Sequence, residues 1–138
     1  YHHTMESVQS FIDSKNKSDS EFLYGIFFQK NKKHIGNVKI GNINHFYKTG
    51  EISLFIGDRD FWGKGLGEEI IRAITNHGFS EIGLKKIEAG CYESNIASLK
   101  SFLSSGYERE GILKSHVTSQ GRREGLIRLG ILHDAKIS

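Results

Sequence analysis

The sequence predicts a mixed α/β fold, a β-sheet with a βαβ unit at its centre. Residues 51–57 contain a short apolar run that is typical of a buried strand. Apolar residues then recur at helical spacing from Leu66 to His77, and Gly78 is expected to end this helix. A second apolar strand, residues 86–92, follows. Because a helix separates the two strands, we expect them to be parallel neighbours in one sheet.

A helix and a hairpin are predicted ahead of this unit. Thr4 can cap a helix whose apolar side carries Met5, Val8, Phe11 and Ile12. Residues 14–21 are polar and are expected to form a loop. Residues 22–29 and 34–40 are predicted to pair as a hairpin, and residues 41–50 as a polar connection to the central strand.

A second helix and a closing hairpin are predicted after the unit. The residues 93–95 supply capping groups, and Gly106 is expected to end the helix. Its inward side chains are expected to be Ile96, Leu99, Phe102 and Leu103. Residues 107–113 and 124–132 are predicted strands, joined by a turn at residues 119–122. Tyr92 and Tyr107 are expected to be core aromatics with satisfied hydroxyls.

Length and composition favour an ordinary globular protein. With 138 residues we expect a single domain covering residues 1–138, and 37% hydrophobic with 25% charged residues fits that class. No apolar run approaches the roughly 20 residues that span a bilayer. The one cysteine, Cys91, suits a reducing compartment, so we expect the cytoplasm and a buried, inert thiol. The net charge of +3 is scattered, which favours an anionic small ligand over nucleic acid.

The glycine-rich turn at residues 62–68 is the strongest local signal. Gly63, Gly65 and Gly67 allow close approach to the backbone, and the helix that follows has unpartnered N–H groups at its positive end. With Lys64 beside them, these groups predict a phosphate or pyrophosphate site. A plain tight turn is the alternative, because the turn matches neither the Walker pattern nor the dinucleotide fingerprint, which Glu68 breaks.

The order of these parts resembles the GCN5-related N-acetyltransferase (GNAT) family, especially its ribosomal-protein alanine acetyltransferase branch. The resemblance is carried by residues 62–69, 89–92, 95–99 and 106–111 and runs from Thr4 to Leu132. The family's phosphate-loop pattern, Gln/Arg-x-x-Gly-x-Gly/Ala, falls on residues 62–67 with tryptophan at its first position. Members normally begin with a further strand and helix, so the resemblance implies an N-terminally incomplete GNAT domain.

This resemblance implies a GNAT-like acyltransferase fold with acetyl-CoA as donor and a primary amine as acceptor. In the family two parallel strands splay apart, and the pantetheine arm enters the gap and pairs with backbone groups. The cofactor-binding residues implied are Phe55, Ile56, Trp62, Gly63, Lys64, Gly65, Leu66, Gly67, Glu68, Asn95 and Ser98. The expected partners are acetyl-CoA and the amine, with homodimer formation left open; nucleic acid, membranes and metal are not expected.

Direct attack by the amine needs a base and a proton for the leaving thiolate. Glu51, at the start of the central strand, is the expected base, with a solvated strand-end carboxylate as the alternative. His45 is a second candidate base and substrate contact, with an exposed loop histidine as the alternative. Ser98 is expected to hydrogen-bond the thiolate, because Phe102 stands where many relatives carry a tyrosine.

Three functions stay open from the sequence. The first is an acetyltransferase for a small or sugar amine, or for a protein α-amine. The second is a non-catalytic module that binds CoA, and the third is a nucleotide-binding regulator. Fold alone does not select among them.

Overall fold

The computed structural model describes residues 8–9, 21–27, 34–56 and 65–134. Within them, seven strands form one sheet in the order β1-β2-β3-β4-β5-β7-β6. The strands are β1 (Val8–Gln9), β2 (Phe22–Phe27), β3 (His34–Asn44), β4 (Thr49–Ile56), β5 (Lys86–Tyr92), β6 (Glu108–Ser119) and β7 (Arg122–Leu132). The helices are α1 (Leu66–His77), a π-helical segment (Gly78–Ile82) and α2 (Ile96–Ser104).

The central βαβ unit is confirmed. β4 and β5 are parallel and pair from Thr49↔Lys86 to Ile52↔Ala89, with α1 between them in the chain. All other neighbouring pairs are antiparallel. The hairpin β2–β3 and the closing hairpin β6–β7 were both predicted, but the insertion of β7 between β5 and β6 was not.

The core lies on one face of the sheet, beneath α1. Alternation along β5 places Ile87, Ala89 and Cys91 in this core, and Ile70 and Ile74 of α1 are completely buried against it. Tyr107 is buried as predicted, and its hydroxyl lies 2.7 Å from the Thr75 hydroxyl of α1. The opposite face carries the intervening residues of the same strands, and along β5 these residues are partly or fully exposed to solvent.

Two predictions about the first half of the chain are wrong. Val8 belongs to a short strand rather than to a helix, because it pairs with Ile26 at the otherwise open edge of β2; the rest of that predicted helix lies outside the described residues. The supposed polar connection at residues 41–50 is mostly strand. β3 continues to Asn44 across an irregularity where Asn42 has φ 49°, and this offset keeps Ile43 buried.

The α-helix α1 ends at His77 with Gly78 as its C-cap, as predicted, but the chain stays helical beyond it. Gly78 is helical, and its missing Cβ makes room for β5, since a Cβ there would lie 2.8 Å from Cδ1 of Ile87. The helical turns continue to Ile82, and Gly83, with φ 81°, ends them in the left-handed conformation. The Leu84 N–H then donates to the Gly78 carbonyl at 3.0 Å.

The second helix is placed correctly, but two of its expected inward residues are not buried. Phe102 is buried and Leu99 packs partly against the core, whereas Ile96 and Leu103 are exposed. Ile96 and Leu103 lie seven positions apart and therefore share one exposed side of α2. Tyr92 was predicted to be a core aromatic, and this is wrong. Its side chain is exposed because it lies on the face of β5 opposite to the core.

Candidate active site

The parallel strands β4 and β5 part in the middle of their length. Their last paired residues are Ile52 and Ala89, although β4 continues to Ile56 and β5 to Tyr92. A cavity of about 380 Å³ opens between the parted ends. It is lined by Glu51, Ile52, Ser53, Leu54, Gly90, Cys91, Tyr92, Asn95, Ser98, Phe102, Leu126 and Arg128. The split expected from the family resemblance is therefore present in the structure.

The cavity is lined by residues from both faces of the sheet, and the two sets of residues differ in character. Glu51 and Ser53 lie on the open face of β4, and Arg128 lies on the same face of β7. On the helix side, Cys91 and Phe102 form an apolar wall with Ser98 beside them. Two reactants could therefore enter from opposite faces and meet inside the sheet.

Glu51 is held in place by two neighbours. Its Oε2 lies 2.8 Å from Nη2 of Arg128, and its Oε1 accepts a hydrogen bond from Nδ2 of Asn42 at 3.0 Å. The same guanidinium nitrogen lies 3.8 Å from Glu88, which pairs directly with Glu51 across the strands. Two carboxylates thus share one cation. Gly90 leaves room for it, since a Cβ there would lie 3.0 Å from Nη1 of Arg128.

The first turn of α2 brings polar groups to the other side of the cavity. Asn95 caps the helix, and its side-chain oxygen accepts a hydrogen bond from the Ser98 N–H at 3.1 Å. Ser98 is 6% exposed and Phe102 is 3% exposed. Both lie one helical turn apart on the face of α2 that borders the cavity.

Cys91 lies in the wall of the cavity and is a free, buried thiol. Burial raises the pKa of this thiol, and the charge of Arg109 opposes that effect. A raised thiol pKa favours the protonated, weakly nucleophilic form at neutral pH. Cys91 is therefore part of the apolar wall rather than a nucleophile.

A second depression, of about 400 Å³, lies between the beginnings of α1 and α2. It is lined by Gly65, Glu68, Ile96, Ala97, Lys100, Ser101 and Ser104. Gly65 precedes α1 with φ 78°, a left-handed conformation that favours glycine, and it provides no capping side chain. Ile96 and Ala97 border this depression, whereas Asn95 and Ser98 border the cavity, so the first turn of α2 separates the two spaces.

The remaining predicted cofactor residues are placed as follows. Leu66 and Gly67 are buried in the first turn of α1, and Glu68 forms an ion pair with Arg72 at 3.2 Å. Phe55 and Ile56 pair through their backbones with Asn37 and Gly36 of β3. The positions Trp62, Gly63 and Lys64 lie outside the described residues.

His45 is not brought to the cavity. It lies in the exposed turn that precedes β4 and is not among the residues that line the cavity. Arg128 is the site residue that sequence reasoning missed. The sequence does contain one indication of it, because a charged residue interrupts an apolar run in β7, where residues 126, 127 and 129 are Leu, Ile and Leu.

Among the described residues, no group of three or more His, Cys, Asp and Glu side chains is arranged to hold a metal ion. In the same part of the chain, no helix has both the length and the apolar character required to cross a membrane.

Comparisons with known proteins agree with this geometry. A family model described as an acetyltransferase (GNAT) domain matches residues 1–108. The chain therefore belongs to the GNAT acetyltransferase family, and its mixed sheet is the GNAT acyltransferase fold.

Two relatives come from Bacillus subtilis. YjcK, named a probable N-acetyltransferase, is 31% identical over 118 residues, which cover 85% of this chain and 65% of YjcK. YnaD, named an uncharacterized N-acetyltransferase, is 31% identical over 115 residues, covering 80% of this chain and 64% of YnaD. This chain thus spans slightly less than two thirds of the length of either relative.

Two solved structures share the fold. One is a chimera of the spermidine N-acetyltransferase SpeG from Vibrio cholerae and hSSAT, with a TM-score of 0.78 and 24% identity, covering 86% of this chain and 70% of the chimera. The other is a proposed ribosomal-protein-serine acetyltransferase from Vibrio cholerae, with a TM-score of 0.69 and 23% identity, covering 82% of this chain and 64% of that protein.

Proposed function

We propose that this chain forms the catalytic unit of an acetyl-CoA-dependent N-acetyltransferase that acts on a primary amine of a small molecule. The observation that carries the proposal is the parting of β4 and β5 beyond Ile52 and Ala89, which leaves a cavity lined from both faces of the sheet. A passage with an apolar side and a charged side suits a reaction between a thioester and an amine. The family's use of acetyl-CoA as co-substrate supports the same assignment.

The donor enters from the helix side. Beyond Ile52, β4 has no partner in β5, so its backbone can bond the amides of the pantetheine arm as an added strand would. The diphosphate lies at the start of α1, where Gly65 allows close approach and the helix end favours an anion. Lys100, in the depression beside Gly65, supplies a further positive charge. The two spaces on either side of the first turn of α2 thus hold one extended ligand.

The amine attacks the thioester carbonyl carbon directly. Its nitrogen forms a C–N bond, the tetrahedral intermediate collapses, the C–S bond breaks, and the thiolate of CoA takes up a proton. Glu51 accepts the proton from the amine, directly or through water. A carboxylate has about four acceptor positions, so the bonds from Arg128 and Asn42 leave capacity for one more. Ser98, on the donor side, hydrogen-bonds the leaving thiolate.

The charges on the open face favour a cationic acceptor. Glu51 and Glu88 together carry two negative charges, and Arg128 carries one positive charge, so the network is negative overall. Such a network attracts an ammonium ion, the form in which most primary amines exist at neutral pH. The basic residues are scattered along the sequence, without the cluster that would favour docking to a ribosome, which favours a small or sugar amine over a protein α-amine.

The test is release of CoA thiol from acetyl-CoA by the full-length protein, with separate small amines, amino sugars and peptides bearing free α-amines. We expect turnover with at least one small amine, and a higher kcat/KM for small amines than for peptides. Turnover with peptides alone would replace the small-molecule assignment by a protein acetyltransferase. Binding of CoA without turnover on any amine would contradict catalysis.

A non-catalytic CoA-binding module is the second candidate. It is favoured by one observation: both oxygens of Glu51 already have partners, and Phe102 provides no proton donor in the cavity. The same thiol-release assay, combined with calorimetry of CoA binding, separates the two candidates.

A further inference from the structure

Two carboxylates fasten the turn between β5 and α2 to strand β7. The Glu93 N–H donates to the Gly125 carbonyl at 3.0 Å, and the Gly125 N–H donates to Oε1 of Glu93 at 2.9 Å. Ser94 donates from its backbone N–H to Oε1 of Glu124 at 2.7 Å and from its hydroxyl to Oε2 at 2.9 Å. Four hydrogen bonds therefore join two consecutive turn residues to two consecutive strand residues.

Gly125 and Glu124 of β7 both favour this contact with the turn. A Cβ at Gly125 would lie 2.8 Å from Oε1 of Glu93 and 2.9 Å from Cδ1 of Ile112, so a larger residue there would displace the Glu93 carboxylate. The hydrogen bond from the Ser94 N–H is the main cause that lowers the pKa of Glu124, with the Ser94 and Ser119 hydroxyls and the Arg122 charge acting in the same direction. Glu124 is accordingly a carboxylate at neutral pH.

The fastened turn leads directly into the cavity. The Asn95 N–H donates to the Tyr92 carbonyl at 2.9 Å, and the Asn95 side chain then caps α2 through Ser98. Asn95 and Ser98 border the cavity on one side, while Leu126 and Arg128 of β7 border it on the other. Glu93 and Glu124 do not line the cavity, yet they connect these two walls.

We infer that Glu124, together with Glu93, is a positioning residue that sets the distance between the first turn of α2 and β7 and so the shape of the donor cavity. This inference rests on the proposed function for its binding readout. Without the two carboxylates, one of these four bonds remains, from the Glu93 N–H to Gly125, next to the last β5–β7 pair, Tyr92↔Leu126. The start of α2 could then move relative to Arg128, and the bound arm would lose a fixed wall.

The test compares Glu124→Ala and Glu124→Gln with Glu108→Ala, which removes one exposed carboxylate from the same β6–β7 hairpin but none of the bonds to the turn. Acetyl-CoA affinity is measured by calorimetry, and amide hydrogen exchange is measured residue by residue without ligand. We expect Glu124→Ala to weaken acetyl-CoA binding roughly three- to tenfold and to speed exchange at Ser94 and Ser98. Glu124→Gln should show a smaller change, because its amide oxygen still accepts one bond, and Glu108→Ala should show none.

Unchanged affinity and unchanged exchange in Glu124→Ala would overturn the inference. Faster exchange across the whole sheet, with a lower Tm, would also overturn it by revealing a general loss of stability. If the unsubstituted protein binds no CoA, the proposed function fails. The exchange data alone then test whether Glu124 holds the turn to β7. Faster exchange confined to residues 94–98 would still support that role.

Discussion

The two halves of the β4–β5 pair behave in opposite ways. In the first half, Thr49–Ile52 pair with Lys86–Ala89, and Ile52, Ile87 and Ala89 are buried beneath α1. In the second half no pairs form, and the strands border a cavity instead. The same two strands thus stabilise the fold at one end and provide an opening at the other.

The parted ends keep their outer neighbours. β4 remains paired with β3 as far as Ile56↔Gly36, and β5 remains paired with β7 as far as Tyr92↔Leu126. Each strand follows the sheet half to which it is bonded on its other side. The opening therefore costs only the bonds between β4 and β5, and a bound ligand with amide groups can replace them.

The paired residues Thr49–Ile52 and Lys86–Ala89, called here the closed half, should contribute more to the free energy of unfolding than the periphery of the sheet. Ile87→Ala removes a completely buried side chain, and we expect a loss of about 2–5 kcal/mol in the free energy of unfolding. Urea denaturation measures this loss. The control is Ile112→Ala, whose side chain is 37% exposed on the edge strand β6 and which should cost about 1 kcal/mol or less. Equal losses in the two variants would remove the distinction between the closed half and the periphery.

The residues that line the cavity between the parted strands, called here the open half, should determine the rate of acetyl transfer. Glu51→Gln should lower kcat about a hundredfold or more, since a general base contributes typically 10²- to 10⁴-fold, while CoA affinity stays unchanged. Glu88→Gln is the matched control, because Glu88 lies directly across from Glu51 and shares Arg128 but does not line the cavity. Its kcat should remain within about threefold. Similar rates for Glu51→Gln and the unsubstituted protein over the whole pH profile would exclude Glu51 as the base.

Charge at the start of α1 should affect donor binding without affecting the closed half. Gly65→Asp places a carboxylate beside the expected diphosphate, and we expect CoA to bind about tenfold or more weakly, which corresponds to about 1.4 kcal/mol. Gly65→Asn has nearly the same shape and tolerates the positive φ of 78° but carries no charge. Calorimetry should find that the asparagine variant loses less CoA affinity than the aspartate variant, because it adds bulk but no charge. A loss of equal size in both variants would assign the effect to the backbone rather than to the charge.

The smallest expected effect is on Cys91. Because burial raises its pKa, the thiol keeps its proton to higher pH than a free cysteine, so alkylation by iodoacetamide should be slow at pH 7 and accelerate as pH rises. Acetyl-CoA should slow it further, by about twofold or more, because Cys91 lines the cavity. Mass spectrometry of the alkylated protein measures both rates. Rapid alkylation that acetyl-CoA leaves unchanged would place the donor elsewhere.

The closed half was readable from the sequence, and the open half was readable only in part. The apolar residue Ile52 and the apolar periods of residues 66–77 and 86–92 predicted the buried positions that hold the βαβ unit together. They did not reveal that the chain stays helical from Gly78 to Ile82, nor that Gly78 packs closely against Ile87 of β5. Asn95 and Glu51 could be found from their places at the ends of elements. Arg128 could not be joined to Glu51, because that pairing follows from the insertion of β7 beside β5, a long-range fact of topology.

Residue-resolved amide exchange of β4, with and without acetyl-CoA, tests the central claim most directly. If the parted strands hold the pantetheine arm, acetyl-CoA should slow exchange at whichever of Ser53 and Leu54 directs its N–H into the gap, because consecutive N–H groups of a strand face opposite neighbours. Exchange at Gly50–Ile52 should stay unchanged, because β4 is already paired there with β5. Tight binding of acetyl-CoA with no added protection at Ser53 and Leu54 would contradict the account.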